Sequence, residues 1–214
     1  MRHLILPTIA LVMTVFSLTV KAQDTLSRPF EVISGDCKCP EFEFVNGAYE
    51  LKDIHQSDND LEIRFSQQQP GGFLSTVVFT KKEGKLAANY YHKRLEQFRS
   101  GRPDSERNNL KWEKYSYKKF LLSEKADSVL LELLHNNILG LPNYNELYKG
   151  KGLLNAFYVT YKVNNHIRSY YFANTKALIA EFPDVKEYGQ YESIREIIAS
   201  LIRPYRKQSL SSYN

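Results

Sequence analysis

The chain predicts an α+β fold: a mainly antiparallel sheet of about seven strands packed by two or three helices, the helices mostly in the C-terminal half. Three observations carry this. Segments that alternate with a period of two, or that are dense in β-branched and aromatic residues, crowd the first half of the chain. Two hairpin signals join neighbouring segments over connections too short for a parallel crossover. Two apolar stripes at helical spacing come later and do not alternate strictly with strands, which argues against a parallel α/β fold.

The elements follow in order. Glu41 to Leu51 opens with the alternation Glu41, Phe42, Glu43, Phe44 and bends at Asn46-Gly47, which reads as a strand. Asp58-Asn59-Asp60 is a turn. Leu61 to Phe65 places Leu61, Ile63 and Phe65 on one face, with Glu62 and Arg64 on the other. After Gln69-Pro70-Gly71-Gly72, Phe73 to Thr80 is a strand. Lys82-Glu83-Gly84 turns it into Lys85 to Tyr91, giving a meander. Residues 99–111 are almost devoid of apolar side chains and form a long exposed loop, the candidate subdomain boundary. Trp112 to Leu122 is strand-like.

Ser123 reads as the N-cap of a helix running to about Ile138, with Ala126, Val129, Leu130, Leu133 and Leu134 buried and Gly140 and Pro142 ending it. Phe157 to Val163, Asn164-Asn165 and His166 to Phe172 form a second hairpin, both asparagines suited to positive φ. Asn174-Thr175 caps a short helix to Phe182. A last helix runs from about Glu192 to Arg203 with Ile194, Ile197, Ile198, Leu201 and Ile202 in one stripe, and Pro204 ends it. The expected organisation is a signal peptide at 1–22, a single domain at 23–206 and a disordered tail at 207–214.

Export is read from the start of the chain. Arg2 and His3 precede an apolar run from Leu4 to Val20, and cleavage after Ala22 leaves Gln23 as the new N-terminus. That run is shorter than the ~20 residues needed to span hydrocarbon, and Pro7 interrupts it. The expected destination is periplasmic or secreted, with no transmembrane segment after cleavage. Loss of Arg2 and Lys21 takes 29 basic residues to 27 against 24 acidic ones. So weak a positive balance, in an exported chain, argues against a nucleic-acid partner.

Enzyme signatures are missing: there is no Gly-x-Ser-x-Gly elbow, zinc helix, phosphate loop or dinucleotide fingerprint. Ser116-Tyr117-Lys118-Lys119 has a Ser-x-x-Lys spacing, but on a strand positions three apart point to opposite faces. Cys37 and Cys39 are a short-loop disulfide or a thiol pair for redox or metal chemistry, and His55, His92, His135 and His166 stand at no ligand spacing from them. Glu132 and His135 share a helix face, and Asp58, Asp60 and Glu62 alternate as in a calcium loop. A surface pair and a solvated turn are the plainer readings, so neither metal nor cofactor is expected.

Charge is uneven. Between His92 and Lys119 nine basic residues face four acidic ones, interleaved with Tyr90, Tyr91, Phe98, Trp112, Tyr115 and Tyr117. Arg94, Arg99, Arg102, Arg107, Lys111, Trp112 and Tyr115 are the candidate ligand-binding residues, because guanidinium and aromatic groups together hold anionic or sugar-like ligands. Tyr158, Tyr161, Tyr170 and Tyr171 in the second hairpin make either an exposed platform or packed sheet. The expected function is a non-enzymatic exported binding or interaction module of the bacterial cell envelope, with an anionic envelope component or a protein as partner. The alternatives are an envelope hydrolase whose active site lacks a local motif, and a redox or metal-handling protein using Cys37 and Cys39.

Overall fold

A computed structural model of the chain describes Tyr49 and residues 51–69, 73–94, 117–120, 123–147 and 156–211. For 68, 69, 94, 117–120, 123, 124 and 206–211 it describes the backbone alone. Among the described residues six strands form one sheet: β1 Leu61–Gln69, β2 Phe73–Lys82, β3 Lys85–Arg94, β4 Tyr117–Phe120, β5 Phe157–Val163 and β6 His166–Phe172. Four helices follow the meander: α1 Ser123–His135, α2 Tyr144–Leu147, α3 Thr175–Glu181 and α4 Lys186–Ser211. The fold is therefore α+β with helices mostly C-terminal, as the sequence predicts. The expected strand at 41–51 lies largely outside the described residues, and Tyr49 within it is helical.

Strand order is β4-β3-β2-β1-β5-β6, and every described pairing is antiparallel. The first four strands form the meander. The chain then crosses through α1 and α2 and returns to add the second hairpin on the far side of β1, which becomes central. At the β2–β3 turn Glu83 and Gly84 have φ of 51° and 76°, the positive pair a two-residue turn requires. In the β5–β6 turn Asn164 has φ 53° and Asn165 is not among the positive-φ residues, so one asparagine rather than two takes the strained conformation.

Paired residues share a face, so register defines the core. Ile63 stands between Phe79 and Tyr161, and Phe65 between Val77 and Val159. Ala88, Tyr90, Tyr170 and Phe172 extend the same surface, which is buried. The Tyr191 ring of α4 stacks on Phe172 at 4.7 Å, and Ile194, Ile198, Leu201 and Ile202 of α4 are buried with Leu130, Leu133 and Leu134 of α1. Each such side chain contributes roughly 1.5–3 kcal/mol on burial.

Three helix ends differ from expectation. Asn137, at φ 60°, ends α1 at His135, earlier than Gly140 and Pro142 would. The Asn137 N–H donates to Leu134 O (2.9 Å) and the Ile138 N–H to Leu133 O (3.2 Å), the paired bonds of a Schellman stop. Helix α4 starts before Glu192 and continues through Pro204 to Ser211, into the stretch expected to be a disordered tail. Proline removes one N–H from the ladder, and the flanking turns here carry the helix across that gap.

The second face of the sheet is closed as well. Glu62 and Arg64, on the face opposite Ile63 and Phe65, are 6 % and 4 % exposed. Arg64 Nε donates to Glu62 Oε1 (2.7 Å), while Ser57 Oγ (2.5 Å) and Asn59 Nδ2 (2.8 Å) donate to Glu62 Oε2. Arg64 Nη2 donates to the Lys52 carbonyl (2.7 Å). At the other end of this face Tyr49 packs on Leu74, with Leu51 and Tyr91 beside them, and the Tyr49 hydroxyl donates to the Leu74 carbonyl. The segment preceding β1 thus lies across the sheet, and the central strands are buried on both sides.

Candidate functional site

Antiparallel register aligns one row of residues across the end of the sheet: Phe172, Phe157, Gln67, Ser75, His92 and Tyr117. Immediately after Phe172 the chain turns at Asn174, whose φ of 52° redirects it into α3. The expected cap at Asn174 is a backbone turn, for its side chain makes no capping bond. Helix α4 packs against α3, and between these helices and the end of the row lies a cleft of about 460 Å³. Gln67, Phe157, Asn174, Thr175, Lys176, Ala177 and Arg195 line it.

Its charges form a network. Arg195 Nε donates to Glu192 Oε2 (2.8 Å), and its Nη2 donates to carboxylate oxygens of both Glu192 and Glu196. The Thr175 hydroxyl donates to Glu192, which ties α3 to α4. Lys176 Nζ is 3.8 Å from Glu192 and 3.9 Å from Glu196. The hydrogen bond from Arg195, aided by Thr175, holds the Glu192 carboxyl below the usual range, and the same contact raises Arg195.

A second polar cluster adjoins the floor of the cleft. Ser75, beside Gln67 in the register, has its Oγ 2.9 Å from His92 Nδ1 and 3.3 Å from the Tyr90 hydroxyl. Phe73 stacks on the His92 imidazole at 5.1 Å. A serine and an imidazole at this distance are a nucleophile–base geometry, and both side chains are buried.

A third cluster is structural. The hydroxyls of Tyr161 (2.5 Å), Tyr170 (2.7 Å) and Tyr191 donate to the carbonyls of Leu139, Ile138 and Pro142, and Arg168 Nη1 (2.6 Å) donates to Leu141 O. Burial pushes Tyr161, Tyr170 and Tyr191 above the usual phenol range. The loop after α1 runs through the interior, and these side chains supply the donors its backbone needs. Tyr158 and Tyr171 are also buried, so the hairpin tyrosines pack the sheet instead of forming an exposed platform.

Of the residues expected to bind ligand, Arg94 is the last residue of β3, opposite Phe73 in register, with its backbone alone described. Arg99, Arg102, Arg107, Lys111, Trp112 and Tyr115 lie outside the described residues, as do Cys37, Cys39 and Ser116. Arg94 and Tyr117, the described residues that flank positions 95–116 of that stretch, sit at the same end of the sheet as the cleft. No group of three metal-ligating side chains converges among the described residues. Asp58 pairs with Lys82 (2.5 Å), Asp60 accepts from the Glu83 N–H (3.0 Å) and Glu62 turns inward, so the calcium-like alternation is spent on three separate contacts.

Sequence reasoning missed Gln67, Thr175, Lys176, Glu192 and Arg195 as one site. The Glu192-x-x-Arg195 spacing was the available signal, since residues three apart on a helix meet. The Ser75–His92 contact leaves no local trace, because only strand register brings those residues together. Comparison of the chain with protein-family models, curated proteins and solved structures finds no match.

Proposed function

We propose that the chain is a non-enzymatic exported binding module of the cell envelope and that its ligand seats in the cleft between the sheet end and α3–α4. The observation that carries this reading is the state of the charges there. A general acid or base needs a pKa near the working pH, but Glu192 is held low and Arg195 high, so both stay ionised. Fixed charges, side-chain amides and a hydroxyl around about 460 Å³ fit recognition of a polar small molecule. The basic stretch beyond Arg94 belongs to the same proposal through its position in the chain. No helix among the described residues is long and apolar enough to cross a membrane.

Thermal unfolding with a panel of envelope saccharides and anionic polymers tests the reading. A ligand at a hundred times its dissociation constant adds about 2.7 kcal/mol. The shift should vanish in an Arg195→Ala, Lys176→Ala double variant. Stabilisation that survives both substitutions would place the ligand elsewhere.

The Ser75–His92 contact favours a second reading, an envelope hydrolase. It requires Ser75 to react with a fluorophosphonate probe in the wild type and not after His92→Gln. An unlabelled Ser75 leaves the pair as a packed polar contact.

A further inference from the structure

Resting on the cleft as the binding site, we infer that it selects a carboxylate-bearing ligand and that Glu196 is a resident competitor for that carboxylate. Among the described residues, the charged side chains lining the cleft are Lys176 and Arg195, both cationic, whereas Glu192 and Glu196 are not part of the lining. The charged groups a ligand meets at the lining are therefore hydrogen-bond donors, even though the four charges cancel.

The two carboxylates are not equivalent. Glu192 is 15 % exposed, bonded through one oxygen to Thr175 and Arg195 Nε and through the other to Arg195 Nη2, and so serves as the structural partner of the guanidinium. Glu196 is 51 % exposed and, among the described residues, reaches only Arg195 Nη2 as a hydrogen-bond donor. An incoming carboxylate can replace it without disturbing the α3–α4 tie. Two further donors await such a group. Arg195 Nη1 makes no hydrogen bond among the described residues, and Lys176, 76 % exposed, stands beyond hydrogen-bond reach of either glutamate. A planar carboxylate between a guanidinium fork and an ammonium is the arrangement these donors are built to bind. The amides of Gln67 and Asn174 then face the uncharged remainder of the ligand.

The test uses D-glucuronate and D-glucose, which share a ring and differ at one carboxylate, with inorganic phosphate as a third probe. Amide chemical shifts of Thr175, Lys176 and Arg195 are followed in the exported chain at two salt concentrations. Glucuronate should bind at least about tenfold more tightly than glucose and weaken at high salt. Glu196→Gln should tighten glucuronate about two- to fivefold, the worth of one exposed ion pair, while leaving glucose unchanged. Lys176→Ala should weaken it by a similar factor. Both positions are exposed, so neither change threatens folding. Equal binding of glucuronate and glucose would overturn the anion selectivity and leave the cleft as a polar site. Glucuronate binding indifferent to Glu196→Gln would overturn the competitor role. Phosphate binding without glucuronate would refute the choice of carboxylate. No shift at these amides with any probe would remove the cleft itself, and the proposed function with it.

Discussion

Glu62→Gln removes a charge and almost nothing else. The amide occupies nearly the same volume, so no cavity opens, but the buried Arg64 guanidinium loses the Glu62 carboxylate, and Ser57 and Asn59 lose a charged acceptor. Breaking one side of a buried ion pair costs about 3–5 kcal/mol, because the remaining charge has been taken out of water and is no longer compensated. Against the 5–15 kcal/mol that stabilises a typical domain, this is a large fraction. With a urea slope of about 2 kcal/mol/M, the unfolding midpoint should fall by about 1.5–2.5 M. Far-UV circular dichroism during urea titration reads it directly. The double variant Glu62→Leu, Arg64→Met replaces both charges with packed apolar groups and should recover most of the loss. A midpoint shift below about 0.5 M for Glu62→Gln would mean instead that water reaches this face of β1 and that the pair is not buried. Failure of the double variant to recover would show that the Arg64 bond to the Lys52 carbonyl, not the ion pair, holds the segment down.

Three other predictions concern the interior and the helix stop. Tyr170→Phe leaves the buried Ile138 carbonyl without its donor and should cost about 1–3 kcal/mol in urea unfolding, whereas Tyr171→Phe, whose hydroxyl meets the exposed Asn145, should cost about half a kcal/mol. Tyr161, Tyr170 and Tyr191 have phenol pKa values raised by burial, so the stability they confer is complete below pH ~10 and lost as the pH climbs above it. Thermal unfolding between pH 8 and 11.5 should show a downward break near 10, and Tyr170→Phe should soften it. At Asn137, φ 60° favours glycine, so Asn137→Gly should be neutral or slightly stabilising and Asn137→Ala should cost about 1 kcal/mol, read as melting temperature.

Much of the fold was legible because its signals are local. The Glu83-Gly84 turn and the Asn164-Asn165 turn announce two hairpins, since the residue types that tolerate positive φ are few. The apolar stripes of α1 and α4 follow from helical spacing. Where local signals competed, the reading slipped: Pro142 and Gly140 looked like the stop of α1 although Asn137 had already made it, and Pro204 looked like the end of a helix that continues.

An antiparallel meander, a second hairpin and late amphipathic helices are encoded in short stretches of this chain, because turn chemistry and periodicity act over a few residues. Tertiary structure decided everything that depends on residues meeting across distance. It turned the charged face of β1 inward, because the segment before that strand lies over it and supplies Ser57, Asn59 and the Lys52 carbonyl. It set the hairpin residues Tyr161 and Tyr170 against the carbonyls of a buried loop instead of a ligand. It also assembled a cleft from β1, β5, α3 and α4, four elements spread over more than 120 residues. Burial and register are properties of the packed chain, and no window of sequence contains them.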